Sequence, residues 1–223
     1  MQVKKPAQPI RIEPRWPVVL AILSMIGLLA LLPERIRLVP IWFPYVSGIA
    51  VIVPIAAVGL TAAKGRWVRV ERVVTLLYVI VVVVGNFAHL ANLISAMANR
   101  SAEVGGIQLL GSSVALWVSN VLGFALLYWQ MDRGGPEDRV NNRDTRPDWL
   151  FPQEGAPAED VPPGWRPAFV DYLFLGYSTA TAFSTTDVMP LTSRAKMLMM
   201  VESSMSLATI VVVGARAINI LGS

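Results

Sequence analysis

The chain has no cysteine, a single histidine and few charged residues for its length. Only 15% of its 223 residues are charged, whereas 54% are hydrophobic. Without cysteine there is no disulfide, no thiolate metal site and no thiol nucleophile, and His89 alone cannot build a histidine-rich metal centre. The acidic residues and His89 share no catalytic spacing. We therefore predict that the chain is not an enzyme and carries no metal or other cofactor.

Long apolar runs make up much of the chain, and its mean hydropathy is +0.54. Several runs approach or exceed the roughly 20 residues that cross a bilayer as a helix. After a basic arm at 1–15, the region 16–130 holds four such runs, which we predict as transmembrane helices over 16–32, 42–62, 70–97 and 108–130. The first lacks a cleavage signal and is expected to be retained. The composition predicts an all-α, polytopic integral membrane protein of the inner (plasma) membrane.

The character of the chain changes after the fourth run. Residues 131–167 are polar and rich in proline, which disfavours a long helix, so we expect a loop outside the bilayer core. The last part, 168–223, begins with a short apolar segment, continues through a hydroxyl-rich turn and ends in a helix from Ser193 to Leu221. A non-helical backbone at membrane depth must be shielded by protein or line a water-filled cavity. The segment before the turn is therefore either a re-entrant helix or a short full span, which would give six spans.

The order of residues in this last part resembles the pore module of tetrameric potassium-type channels over about residues 167–221. The matching positions are Asp171, Tyr172 and Leu173 at the start of a pore helix, Thr179 and Thr181 near its end, then Asp187, Pro190, Leu191 and Thr192. The chain is also similar to an uncharacterised group of bacterial multi-span membrane proteins, from which no activity carries over. The channel resemblance implies a re-entrant pore helix, a homo-oligomer, tetrameric if channel-like, in membrane lipid, and monovalent cations as its permeant ions.

The sequence departs from the channel pattern at the filter itself. Channel filters stack backbone carbonyls around the ion and use glycine to reach the required backbone angles, whereas residues 182–186 contain no glycine. We expect instead an opening lined by the hydroxyls of Ser184, Thr185 and Thr186, with Thr181 as a further pore-like residue. A ring of Asp187 carboxylates would favour cations weakly. The alternative is a non-conducting scaffold or sensor in which the pore-like fold is vestigial.

Two further sets of polar residues lie in predicted helices. On the last helix, Glu202, Ser206, Thr209 and Arg216 share one face, which would line an inner cavity or bond to neighbouring helices. On the third, Asn86, His89 and Asn92 form a patch that could meet Asn120 of the fourth. A proton relay is one interpretation of that patch, and a neutral, hydrogen-bonded packing histidine is the other.

The distribution of positive charge predicts the orientation. With a cytoplasmic N-terminus, thirteen Lys and Arg residues fall on the cytoplasmic side and three on the other. This asymmetry favours a cytoplasmic N-terminus and a cytoplasmic 131–167 loop, and it explains the net charge of +4 without a nucleic-acid partner. A potassium-type pore would place that loop outside. The charge count and the channel resemblance therefore disagree on the direction of the pore-like segment.

Overall fold

The computed structural model describes residues 13–32, 37–60, 65–98, 106–141, 145–181 and 187–221. The regular structure of these ranges is almost entirely helical. Seven α-helices are present: α1 (Trp16–Leu31), α2 (Trp42–Leu60), α3 (Gly65–Ala98), α4 (Gly106–Met131), α5 (Pro136–Val140), α6 (Phe169–Thr181) and α7 (Ser193–Leu221). Two short 3-10 turns, Asp132–Gly134 and Pro152–Glu154, and two strands of two residues, β1 (Trp149–Leu150) and β2 (Met189–Pro190), complete the described elements.

Helices α2, α3, α4 and α7 are long and apolar enough to cross a membrane. The prediction of an all-α chain with several helices that could cross a membrane is confirmed. Helix α1 coincides with the predicted first span but has only 16 residues, so it extends about 24 Å against a hydrocarbon core of about 30 Å. Helix α6 is shorter still, with 13 residues.

Helix α4 is the centre of the molecule. Its residues from Ser119 to Gln130 are all buried, and the helix contacts α1, α3, α6 and α7. A helix that is apolar on every side is stable only where other helices surround it. Helix α2 lies outside this group and packs on α1 and α3.

Four helices begin beside the end of α4, and we call this part of the molecule the loop end. The Arg15 guanidinium, just before α1, lies 2.9 Å from the Glu71 carboxylate near the start of α3. The Tyr172 hydroxyl, near the start of α6, donates to the Asp132 carboxylate at 2.5 Å. Helix α7 starts here as well, because Arg194 pairs with Asp148 at 2.5 Å. All four therefore run antiparallel to α4.

The chain is at the loop end both before and after α6. Strand β1 precedes α6, strand β2 follows it, and the two pair antiparallel with Trp149 opposite Pro190. The Leu191 amide continues the pairing by donating to the Asp148 carbonyl at 2.8 Å. Helices α6 and α7 consequently run in the same direction, and the Ser203 hydroxyl of α7 donates to the Thr179 carbonyl of α6 at 3.1 Å.

The described residues between 132 and 168 hold more regular structure than the expected loop. Arg133, Gly134 and Gly135 have φ angles of 54°, 80° and 101°, so the backbone turns sharply after α4 and α5 can begin at Pro136. Positive φ carries little cost at glycine, which explains two of the three residues. The proline-rich composition predicted the absence of a long helix correctly, but it could not indicate this turn or the strand pair.

Candidate functional site

The predicted pore turn is described only at its two ends. Thr181 is the last residue of α6, and its hydroxyl donates to the Ser178 carbonyl at 3.0 Å. Asp187, at the other end, is exposed. The predicted filter residues Ser184, Thr185 and Thr186 lie outside the described residues. Asp171, predicted at the start of the pore helix, accepts a hydrogen bond from the Ala168 amide at 2.8 Å and so caps the first turn of α6.

The polar face of α7 points into its own protomer, towards α4. Glu202 and Ser206 are completely buried and Thr209 is 3% exposed. The Tyr128 hydroxyl of α4 donates to Glu202 Oε2 at 2.5 Å, and the Asn120 amide donates to Ser206 Oγ at 3.0 Å. The side chain of Arg216, the fourth predicted member, lies outside the described part of the chain.

Several oxygens in this buried region have no hydrogen-bond partner among the described residues. They are Glu202 Oε1, Asn120 Oδ1 and Thr179 Oγ1, from three different helices. Gly176 of α6 makes the close packing possible, because a Cβ there would lie 3.3 Å from Glu202 Oε1 and 3.2 Å from the Val121 carbonyl oxygen. Three neighbouring helices thus each place an unbonded oxygen in a buried part of the bundle. Within the described ranges, no group of three His, Cys, Asp or Glu residues could hold a metal ion.

The predicted polar patch on α3 is divided in the structure. The side-chain oxygen Oδ1 of Asn86 accepts from the Ser119 hydroxyl at 3.3 Å, whereas Asn120 faces α7 and Asn92 is exposed. His89 Nε2 accepts from the Leu38 amide at 3.3 Å, and Nδ1 lies 2.8 Å from the Gly85 carbonyl oxygen. A ring that accepts at one nitrogen and donates at the other is neutral. This geometry supports the packing interpretation of His89 over the relay.

A second buried network, at the loop end, was not predicted from the sequence. The Glu13 carboxylate accepts from the Trp129 indole at 2.9 Å, from the Phe169 amide at 2.9 Å and from the Arg139 guanidinium at 3.0 Å. Arg139 is 1% exposed and its guanidinium also lies over the Tyr172 ring. These contacts tie the residues before α1 to α4, α5 and α6.

Asp132 and Asp148 extend this network to α7. Asp132 is fully buried and accepts from the Tyr172 hydroxyl and, at 2.8 Å, from the Asp148 amide. The Asp148 carboxylate accepts from the Thr192 hydroxyl at 2.6 Å and pairs with Arg194. Because its members come from the residues before α1, from α4 and α5, and from the starts of α6 and α7, the network holds the starts of α6 and α7 in fixed positions.

No protein family, characterised protein or solved structure was found to match this chain.

Proposed function

We propose that the chain is the subunit of an oligomeric, weakly selective cation pathway built around α6, the turn that follows it and α7. One observation carries the proposal. Helix α6 begins at the loop end, and β2, which follows the turn, is back at the loop end paired with β1. A segment that enters and leaves on the same side is the arrangement expected of a re-entrant pore helix, and it is unlike the complete fifth span of a six-span protein.

The lengths of α6 and of the turn that follows it support a re-entrant segment. With 13 residues, α6 is about 20 Å long, which is too short for the roughly 30 Å hydrocarbon core. Seven residues, 182–188, separate α6 from β2. Seven residues reach at most about 25 Å, so the chain length matches the distance that must be covered from the end of α6 back to the loop end.

The electrostatics of the segment favour cations. The C-terminal end of α6, at Thr181, points away from the loop end, and the C-terminus of a helix carries a partial negative charge. Asp187 is exposed at the other end of the turn. In a ring of subunits the Asp187 carboxylates would concentrate cations at the mouth, and the hydroxyls of Ser184, Thr185 and Thr186 would line the way inward.

An oligomer is required because one such segment cannot encircle an ion path. Cyclic symmetry is the usual way to close one, and the channel resemblance favours a tetramer. A single protomer leaves apolar side chains of α6 and α7 uncovered, among them Phe174, Met200 and Val211, each more than half exposed. These faces are available to other subunits as well as to lipid.

A non-conducting scaffold or sensor is the second candidate, and one observation favours it. Glu202, Ser206 and Thr209, which would line the inner cavity of a channel, face α4 of the same protomer. In that case the re-entrant arrangement is a structural element, and the hydrogen bonds that join Glu202 and Ser206 to α4 hold the bundle together.

Ion flux into liposomes tests the proposal. Reconstituted wild-type protein is expected to pass monovalent cations in preference to chloride. Asp187→Asn should lower the cation-to-anion permeability ratio by up to about tenfold, because a ring of like charge concentrates counter-ions at a mouth. Asp160→Asn is the matched control, since Asp160 is an exposed carboxylate in the same loop-end segment but away from the turn.

Two outcomes would contradict the proposal. One is a cation-to-anion permeability ratio of Asp187→Asn that equals the ratios of the wild type and of Asp160→Asn. The other is flux no greater than that of empty liposomes, together with a monomeric mass in lipid nanodiscs, which would establish the non-conducting candidate.

A further inference from the structure

Helix α3 is longer than a bilayer requires, and its exposed face shows which part of it meets hydrocarbon. It has 34 residues and extends about 51 Å, against a hydrocarbon core of about 30 Å. Between Arg72 and Asn92, which are exposed and polar, every exposed side chain is apolar. We call this set the α3 stripe: Val73, Leu77, Ile80, Val81, Val84, Phe87 and Ala91. The range 73–91 extends about 28 Å, which matches the core and indicates that the hydrocarbon ends between Arg72 and Val73.

Two arginines continue the face of the α3 stripe beyond this boundary. Arg69 lies four residues before Val73, and Arg66 lies three residues before Arg69, steps that keep side chains on one face of a helix. Both arginines are exposed. Their Cα atoms lie about 6 Å and about 10 Å beyond that of Val73 along the helix, and the headgroup layer is about 5–8 Å thick. Arg69 is therefore level with the headgroups and Arg66 is at their outer edge.

The residue next to Arg66 supports this depth. Trp67 is exposed, and exposed tryptophan is typical of the layer where headgroups meet acyl chains. The turn 66–69 thus combines an aromatic side chain with two cationic ones at the level of the lipid headgroups.

Neither Arg66 nor Arg69 forms an ion pair within the ranges that the structure describes. By contrast, the guanidinium groups of Arg15 and Arg139 at the same end of the molecule lie within 3.0 Å of a carboxylate. The acid nearest in sequence, Glu71, is buried and pairs with Arg15. It is also the only acidic residue of α3, so the exposed face of this helix carries no negative side chain.

The acidic residues of α5 lie beside Arg72. Glu137 and Asp138 line a cavity that Arg69 and Arg72 also border, and the Asp138 carboxylate is 4.0 Å from the Arg72 guanidinium. Arg72 is therefore partly balanced by Asp138. Arg66 lies outside this cavity. The excess of positive charge at the start of α3 is thus centred on Arg66 and Arg69.

We propose that Arg66 and Arg69 bind the phosphate of an anionic phospholipid whose acyl chains cover the α3 stripe. Side chains three residues apart on a helix are neighbours, so both guanidinium groups can reach one phosphate, which each can bind through paired hydrogen bonds. Because α3 offers no exposed acid to an ammonium group, a headgroup of net negative charge binds more tightly than a zwitterionic one. The adjoining α3 stripe favours a lipid over free phosphate, which has no apolar part to cover it.

Thermal unfolding of the detergent-purified full chain tests this proposal. Phosphatidylglycerol or phosphatidylcholine is titrated into the micelles to equal mole fractions, and soluble glycerol phosphate is added in a separate series. Each variant is compared with its own lipid-free Tm. Phosphatidylglycerol should give the largest rise in Tm for the wild type, because it supplies a net negative headgroup and acyl chains together.

Two variants remove the proposed contacts. Arg66→Gln and Arg69→Gln should each raise the mole fraction of phosphatidylglycerol needed for half of the maximal Tm rise by about fivefold, the factor expected for one basic residue at an anionic surface. Both side chains are exposed, so both variants should fold normally. Arg146→Gln is the matched control, since it removes the same charge from an exposed position outside α3 and should leave the titration unchanged.

Three results would overturn the proposal. An equal Tm rise with phosphatidylcholine would show that headgroup charge is not recognised. An equal response to soluble glycerol phosphate would show that the ligand need not be a lipid. An equal weakening by Arg146→Gln and Arg66→Gln would show that net charge, and not the start of α3, attracts the lipid. None of these results depends on ion conduction, so the proposal stands or falls separately from the cation pathway.

Discussion

At the scale of single residues, the buried carboxyl group of Glu202 depends on Tyr128. The Tyr128 hydroxyl donates to Glu202 Oε2 at 2.5 Å, and Glu202 Oε1 has no partner among the described residues. Tyr128→Phe should lower the free energy of unfolding by about 1–2 kcal/mol, because it leaves a second buried oxygen unbonded. Reversible unfolding in mixed detergent and dodecyl sulfate micelles measures this. Tyr177→Phe, at a tyrosine that is 51% exposed, is the control and should be nearly neutral.

Arg139 has a larger expected effect because its loss leaves a buried charge unpaired. It donates to Glu13 at 3.0 Å and to the carbonyls of Trp129 and Asp132. Arg139→Met should lower the free energy of unfolding by about 3–5 kcal/mol, the range for breaking one side of a buried ion pair.

Two further variants decide whether charge is the cause of the Arg139 effect. Adding Glu13→Gln to Arg139→Met should restore part of the loss, since the double variant buries no unpaired charge. Arg146→Met changes an exposed arginine in the same segment and should have little effect. A double variant no more stable than Arg139→Met would show that shape at this position matters more than charge.

On α7 the buried polar face could be predicted, but the partners of its side chains could not. The steps of four and three placed Glu202, Ser206 and Thr209 on one face of α7, and the structure has them so. Periodicity does not say which neighbouring helix that face contacts, so the contact with α4 could not be predicted. Glu13 gave no signal at all, because its partners Arg139 and Phe169 are 126 and 156 residues away along the chain.

At the scale of elements, the contact of α6 with α4 depends on Gly176. A Cβ at this position would lie 3.2 Å from the Val121 carbonyl oxygen and 3.3 Å from Glu202 Oε1. Gly176→Ala should therefore lower the free energy of unfolding by about 1–3 kcal/mol through overpacking, although alanine is the better helix former. Gly85→Ala is the control in α3, since nothing lies within 4 Å of a Cβ there. It should be neutral or stabilising, and equal effects at the two sites would contradict the close contact.

The observed bounds of a helix agree closely with the predicted ones where the sequence has a strong capping residue at the end of the helix. Helix α7 spans Ser193–Leu221 as predicted, because the Thr192 hydroxyl accepts from the Ala195 amide at 3.2 Å and so caps the first turn. The strand pair was not foreseen, since two residues carry no periodicity and β1 and β2 are brought together by the contacts of Asp148 with Thr192 and Arg194.

At the scale of the whole molecule, the arrangement of α6 determines how many times the chain crosses the membrane. Because the chain has no cysteine, single cysteines report the side of the membrane without interference. Ala158→Cys, before α6, and Asp187→Cys, after it, should react with an impermeant maleimide from the same side. Ile41→Cys, which is exposed between α1 and α2 at the opposite end, should react from the other side. Opposite sides for positions 158 and 187 would mean that α6 crosses completely.

The same labelling decides the orientation. The structure joins Glu13 and the segment 132–168 at one end, as the charge count requires. In intact cells, positions 158 and 187 should be protected and position 41 labelled, with the reverse in inside-out vesicles, because positive residues are retained in the cytoplasm. Labelling of 158 and 187 in intact cells would instead give the segment the direction found in potassium-type channels.

The long separation of Glu13 from Phe169 also sets the order in which the molecule can be assembled on the ribosome. At about 5–20 residues per second, Phe169 is synthesised roughly 8–30 s after Glu13. During that interval the first three long apolar helices can enter the bilayer while the loop end remains unclosed. A nascent chain released before Phe169 would leave the Glu13 carboxylate without the Phe169 amide and the Asp132 carboxylate without the Tyr172 hydroxyl, which gives quality-control proteases a way to distinguish unfinished copies from complete ones.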